Sequence, residues 1–273
     1  MSDWQAWIGK TTVAEAQLHA EHANHMAVTL DRNPSFQIGD ALPPAWHWLY
    51  FHDLVKASDL GQEGHPKLGL ILPPLPLPRR MWAGGGIVFH LPLRLGDRVR
   101  RTSVIRAIRP KNGRSGPLCF VHVEHTLATN GALNLVEEQT LVYRALGNRA
   151  IGPAQPAPTD ANYTRHYTLD STALFRYSAL TFNGHRIHYD ADYCRQVESY
   201  PNLVIHGPLI ATLLLDLAAQ HDRPLKRFRY RALHPLFLPH PFSVNAKAEG
   251  TRTRLWASNQ AGELAMDAEL ESV

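Results

Sequence analysis

The chain has 273 residues, 44% of them apolar and 19% charged, with 18 glycines and 20 prolines; this balance describes a globular protein and excludes collagen, coiled-coil and low-complexity classes. The length favours two domains, and either half is long enough to bury a core. Lys and Arg exceed Asp and Glu, 28 against 24, a net charge of +4 that suits an anionic ligand without demanding nucleic acid.

Two cysteines, Cys119 and Cys194, make neither a disulfide framework nor a zinc site. The N-terminal run from Met1 to Trp7 has no signal-peptide character, and no apolar stretch approaches the ~18 residues of a membrane span. A cytoplasmic protein is expected.

Residues Thr12 to Ala27 read as a helix with Ala14, Leu18 and Met26 on its apolar face, and Pro43 to Phe51 as a second, bulky one opening on prolines. The proline-rich stretch from His65 to Arg80 predicts an extended loop. Strands are then expected over 87–92, 97–109, 118–129 and 133–144, with Asn130-Gly131 as a hairpin turn. The Pro, Gly and Ala-rich segment 147–160 predicts a linker between domains 1–146 and 161–273.

The second half repeats the order of elements. Helical turns are expected over 171–180 and 190–199, a short strand over 203–206, a helix from Pro208 to Gln220, and strands over 225–233, 242–250, 251–258 and 262–271. The 208–220 helix is apolar on nearly every face, so it must be buried all round. A long antiparallel sheet curled about one buried helix, present twice, is an α+β double hot-dog.

The densest chemical signal is Tyr177-Ser178-Ala179-Leu180-Thr181-Phe182-Asn183-Gly184-His185-Arg186-Ile187-His188-Tyr189-Asp190, followed by Leu203-Val204-Ile205-His206-Gly207-Pro208. These residues resemble the MaoC-like double hot-dog enoyl-CoA hydratase family, whose signature runs Ser/Thr-Gly-Asp-x-Asn-Pro-Ile/Leu-His-x-Asp, with a His-Gly pair opening its central helix. Asn183 falls on the Asp position, His185 on the Asn, Arg186 on the Pro and His188 on the catalytic His. The variant is most similar to the itaconyl-CoA and mesaconyl-C4-CoA hydratases. The resemblance implies a degenerate N-terminal copy that shapes the acyl pocket, with residues 65–80 as a lid, and a C-terminal copy that keeps the chemistry.

Hydration of an enoyl thioester needs a base for the water, a proton for the α carbon and donors for the thioester oxygen as it becomes enolate-like. His188 fits the base. Gly207, in the first turn of the buried helix, offers a backbone N–H to the oxygen, or simply opens the helix. Asn183 orients the water or forms a turn, and Asp190 reads better as an N-cap than as a catalyst.

Substrate-binding candidates are His185, His206, Arg186, Arg227 and Arg229. Arg186 meets a substrate carboxylate, a neighbouring acid (Asp190 or Asp192) or a CoA phosphate. In Lys226-Arg227-Phe228-Arg229-Tyr230-Arg231 the bases and aromatics take opposite faces of a strand; the basic face would hold CoA phosphates, bind RNA or simply be solvated. The pair His185 and His188 lacks further ligands, so no metal is expected, and no cofactor beyond the CoA of the substrate.

The leading expectation is a hydro-lyase that converts itaconyl-CoA or mesaconyl-C4-CoA to citramalyl-CoA, as in itaconate degradation. The alternatives are a dehydratase for straight or long 3-hydroxyacyl thioesters, a non-catalytic acyl- or RNA-binding hot-dog module, and a thioesterase relying on Asp216. A homodimer is compatible with the sequence, and neither a membrane nor a nucleic-acid partner is expected.

Overall fold

The computed structural model describes residues 3–113, 116–145, 153–219 and 223–273. Ten strands form one antiparallel sheet, β1 (Thr11–Gln17), β2 (Arg79–Phe89), β3 (Arg98–Gly113), β4 (Gly116–Thr129), β5 (Ala132–Arg144), β6 (Tyr163–Tyr167), β7 (Leu225–Ala232), β8 (Phe242–Glu249), β9 (Arg252–Asn259) and β10 (Leu264–Ser272). Their spatial order is β1-β3-β4-β5-β2-β7-β10-β9-β8-β6. The two expected sheets are thus joined edge to edge where β2 pairs with β7, from Gly84 opposite Arg231 to Val88 opposite Arg227. Joining removes two edges that would otherwise expose unpaired backbone.

The described residues also form four α-helices, α1 (Ala20–Thr29), α2 (Ser171–Leu180), α3 (Ala191–Gln196) and α4 (Gly207–Ala218). Every residue of α4 from Leu209 to Ala218 is buried, and the helix packs against β8, β9 and β10. Its all-round apolarity therefore had the expected consequence. The hydrophobic core is continuous from Leu18 and Trp46 in the first half to α4 and Leu270 in the second.

The first half departs from expectation three times, first in β2, which begins at Arg79 within the predicted loop and ends at Phe89 instead of running over 87–92. The predicted helix from Thr12 splits into edge strand β1 and helix α1, because Thr11 to Gln17 find partners in β3, Thr11 opposite Val104 and Gln17 opposite Arg98. Available strand pairing outweighs a weak helical pattern. The bulky segment 43–51 forms only a short 3₁₀ turn, Trp46–Leu49, bracketed by Ala45 and Phe51 at φ +67° and +62°, which no helix continues through. In the second half β6 was not anticipated, and the expected strand 203–206 is reduced to a single bridge between Val204 and Phe237. Part of the predicted linker, residues 147–152, lies outside the described residues, as does Gln220 of the predicted helix.

Candidate active site

The signature segment is a run of capped turns. Asp170 caps α2, its carboxylate accepting from the Ala173 N–H at 2.8 Å, and Asp190 caps α3 by accepting from the Tyr193 N–H at 2.9 Å. Between them, Asn183 Oδ1 accepts the backbone N–H of His185 at 3.0 Å, a local turn that asparagine favours. The chain then forms the short turn Arg186–His188, which aims His188 inward.

His188 is 6% exposed. Its Nδ1–H donates to the Val204 carbonyl at 2.7 Å, which fixes the tautomer and leaves Nε2 as a proton acceptor. Burial lowers its pKa from 6.5 to about 4, against the raising effect of the Val204 bond, so the imidazole is neutral at physiological pH. Its ring stacks on His206, whose Nε2 lies 2.8 Å from Ser178 Oγ. His206 is fully buried at the N-cap position of α4, with no side-chain bond to the helix.

Gly207 opens α4, where backbone N–H groups have no intrahelical acceptor. A Cβ here would stand 2.8 Å from Cε3 of Trp82. Only glycine allows the Trp82 ring to lie against the helix start.

His188, His185, Asn183, Ser178 and Gly207 all line one cavity of about 1160 Å³. The far wall comes from the first half. There Glu137, 2% exposed, meets His47 Nε2 at 3.0 Å and accepts from Trp48 Nε1 at 2.8 Å and Gln139 Nε2 at 2.7 Å. Burial pushes its pKa up, but His47, His125 and Gln139 together pull it down to about 2. Sequence reasoning missed this residue. The alternation was available, because Leu135, Leu141 and Tyr143 face inward in β5 and the period of two carries Glu137 with them.

The residues just before the proline-rich loop reach the signature segment directly: Arg186 N donates to Glu63 O at 2.9 Å and Arg186 Nη1 to Gln62 O at 3.2 Å. Gly64 sits at φ +93°, with a hypothetical Cβ only 1.9 Å from Gly184 O, so the two backbones touch as no other residue permits. His65 packs on His185 with ring centroids 4.5 Å apart, and His185 packs on His188 at 5.6 Å. Burial holds His65 and His185 well below the ordinary imidazole value, so both are neutral.

Four of the expected substrate-binding residues, His206, Arg186, Arg227 and Arg229, do not line the cavity. Arg186 does not face the cavity; its Nη2 and Nε donate to Asp190 Oδ2 at 2.7 and 3.1 Å, and its guanidinium lies over Tyr193. It meets a neighbouring acid, one of the three kinds of anion expected for it. Arg227 and Arg229 are exposed on β7, which lies mid-sheet between β2 and β10, while Phe228 and Tyr230 are buried on the opposite face. The facing pattern is as expected, but it turns both arginines away from the cavity. Asp216, the thioesterase candidate, pairs with Arg32 at 2.7 Å outside that cavity.

Among the described residues, no three His, Cys, Asp or Glu side chains converge as metal ligands, and no helix is long and apolar enough to cross a membrane. The arrangement can take a proton from water at His188 Nε2 and stabilise an oxyanion at the start of α4.

The sequence profile of the hydroxyacyl-thioester dehydratase type 2 family matches residues 45–238. The chain is 44% identical over 274 residues to the mesaconyl-C(4)-CoA hydratase of Chloroflexus aurantiacus, covering 99% of this chain and 98% of that one. Among solved structures it is similar to a MaoC-like dehydratase, with TM-score 0.74 and 12% identity over 98% of this chain and 99% of that one. It is also similar to a Mycobacterium tuberculosis protein with a double hotdog fold, with TM-score 0.59 and 13% identity over 97% and 96%. A double hot-dog whose second half carries the buried histidine site, and whose sequence matches that profile over most of its length, belongs to the hydroxyacyl-thioester dehydratase type 2 family.

Proposed function

We propose that the protein is a hydro-lyase that adds water to the double bond of a short, branched, dicarboxylic enoyl-CoA, converting mesaconyl-C4-CoA to citramalyl-CoA, with itaconyl-CoA as the second candidate. The observation that carries the reading is His188, its Nδ1 committed to Val204 and its Nε2 free beside the start of α4. The likeness to the Chloroflexus hydratase along nearly the whole chain supports the choice of substrate.

In the forward direction His188 Nε2 takes a proton from water as the oxygen bonds to the β carbon. The π electrons move through the α carbon onto the thioester oxygen, which the first-turn N–H groups of α4, Gly207 included, stabilise. The imidazolium then returns its proton to the α carbon, so water is added and nothing else is consumed. Asn183 keeps its Oδ1 in the turn with His185 and offers the amide N–H₂ side to the cavity. It cannot share the deprotonation as a carboxylate would. No cofactor is required beyond the CoA carried by the substrate. On this reading the protein acts in the cytoplasm and in itaconate degradation, and a homodimer is compatible with it.

The test is the loss of enoyl-thioester absorbance with mesaconyl-C4-, crotonyl- and long-chain enoyl-CoA, and the formation of citramalyl-CoA from itaconyl-CoA, whose double bond is not conjugated with the thioester. Preference for a dicarboxylic substrate is expected. Preference for straight or long chains would instead favour the dehydratase alternative, and no turnover with retardation of RNA would favour the binding module.

A further inference from the structure

Five cations line the cavity among the described residues: Lys10, Arg79, Arg80, Arg101 and Arg144. Arg79 is neutralised by Glu198 at 2.8 Å, Arg101 is paired with Asp53 at 3.5 Å, and Lys10 rests over the Trp7 ring. Arg144 has its own interactions. Arg80 differs: no carboxylate of the described residues lies within ion-pair distance of it, and its near neighbour is the Tyr143 hydroxyl across β5.

Its position is defined by the strand. Arg80 and Trp82 are two residues apart on regularly paired β2, opposite Tyr143 and Leu141, so their side chains share a face. Trp82 is the ring against which Gly207 packs. The charge of Arg80 also acts on His65 and His185, the latter in contact with His188. A guanidinium without an ion-pair partner among the described residues therefore stands on the wall of the same cavity, on the face of β2 that also carries the ring packed against the start of α4.

We infer that Arg80 is the specificity-determining residue for the free carboxylate of the substrate, an assignment that rests on the dicarboxylic reading above. In mesaconyl-C4-CoA that carboxylate sits on the β carbon itself, the atom that water attacks, so its receptor must lie next to His188. A negative group there also repels the incoming, partly deprotonated water. A planar guanidinium answers both needs, binding the carboxylate through a two-pronged fork and offsetting its charge.

The experiment compares kcat/KM for mesaconyl-C4-CoA and crotonyl-CoA, which lacks the carboxylate, in the wild type, Arg80→Met, Arg80→Gln and Arg80→Lys, each checked for folding by circular dichroism. The Met and Gln variants should lose about 30-fold more on mesaconyl-C4-CoA than on crotonyl-CoA, chiefly through KM, the scale of a lost hydrogen bond to a charged group. Lysine should restore part of the ratio, since it keeps the charge but not the fork. An unchanged ratio in variants that fold, with a wild type active on mesaconyl-C4-CoA, overturns the role of Arg80 alone. A wild type that hydrates crotonyl-CoA but not mesaconyl-C4-CoA overturns the substrate reading, and this inference with it.

Discussion

The imidazoles of His188 and His206 lie face to face, their centroids 3.6 Å apart and their planes 18° from parallel. Each ring is anchored by one nitrogen, His188 through Val204 O and His206 through Ser178 Oγ. Burial disfavours the charged form of each ring, and a cation on His188 would add to that penalty for His206, so both are neutral.

This neutrality makes acid stability a readout of the site. An imidazole of the unfolded chain takes a proton near pH 6.5, whereas His188 in the folded protein waits until about pH 4, and His65, His185 and His206 are also held well below the ordinary value by burial. Between those limits the unfolded state binds more protons, so stability is complete above pH 6.5 and falls as pH drops toward 4. Thermal melts should show this fall, with His188 contributing on the order of 3 kcal/mol. His188→Gln should flatten the profile; an unchanged slope would contradict a neutral, buried His188.

His188→Gln should also lower turnover by roughly 10²- to 10⁴-fold, the usual scale for a lost general base. Amide and imidazole are close in size, so the melting temperature at pH 8 should change little. Retained turnover in a folded variant would remove His188 from the mechanism.

Gly207→Ala tests the start of α4. The added methyl would meet the Trp82 ring at 2.8 Å, displacing either the ring or the helix start, and misplacement of about 1 Å can cost on the order of 10²-fold in rate. Trp82→Leu in the same chain frees that space and should recover part of kcat. Failure of the double variant to recover, with normal folding, would point to a role for the Trp82 ring itself.

Arg186→Met should not discriminate among substrates. Arg186 braces Asp190 and the Gln62 carbonyl at a partly exposed site, so its loss should cost about 0.5–1 kcal/mol of stability. Mesaconyl-C4-CoA and crotonyl-CoA kinetics should shift together. A selective rise in KM for the dicarboxylic substrate would bring Arg186 back as a carboxylate receptor.

The local signals in the sequence determined the elements whose own composition settles their environment. A helix apolar on every face had to become buried α4, Asp190 had to cap a helix, and the alternation of bases and aromatics in 226–231 already assigned them to opposite faces of a strand. The signature ending in His188 likewise marked the site, because its turn chemistry is contained within a few residues.

The tertiary structure decided what depends on distant partners. Whether Thr11 to Gln17 became strand or helix was settled by β3, some 90 residues further along the chain, which offers a free edge to pair with. Arg186, Arg80 and Arg227 are alike as residues, yet one is spent on Asp190, one faces the cavity and one faces away. Which arginine meets the cavity depends on sheet register and on where the nearest carboxylate comes to lie. Both are long-range facts, because electrostatic pairing acts through space and not along the chain.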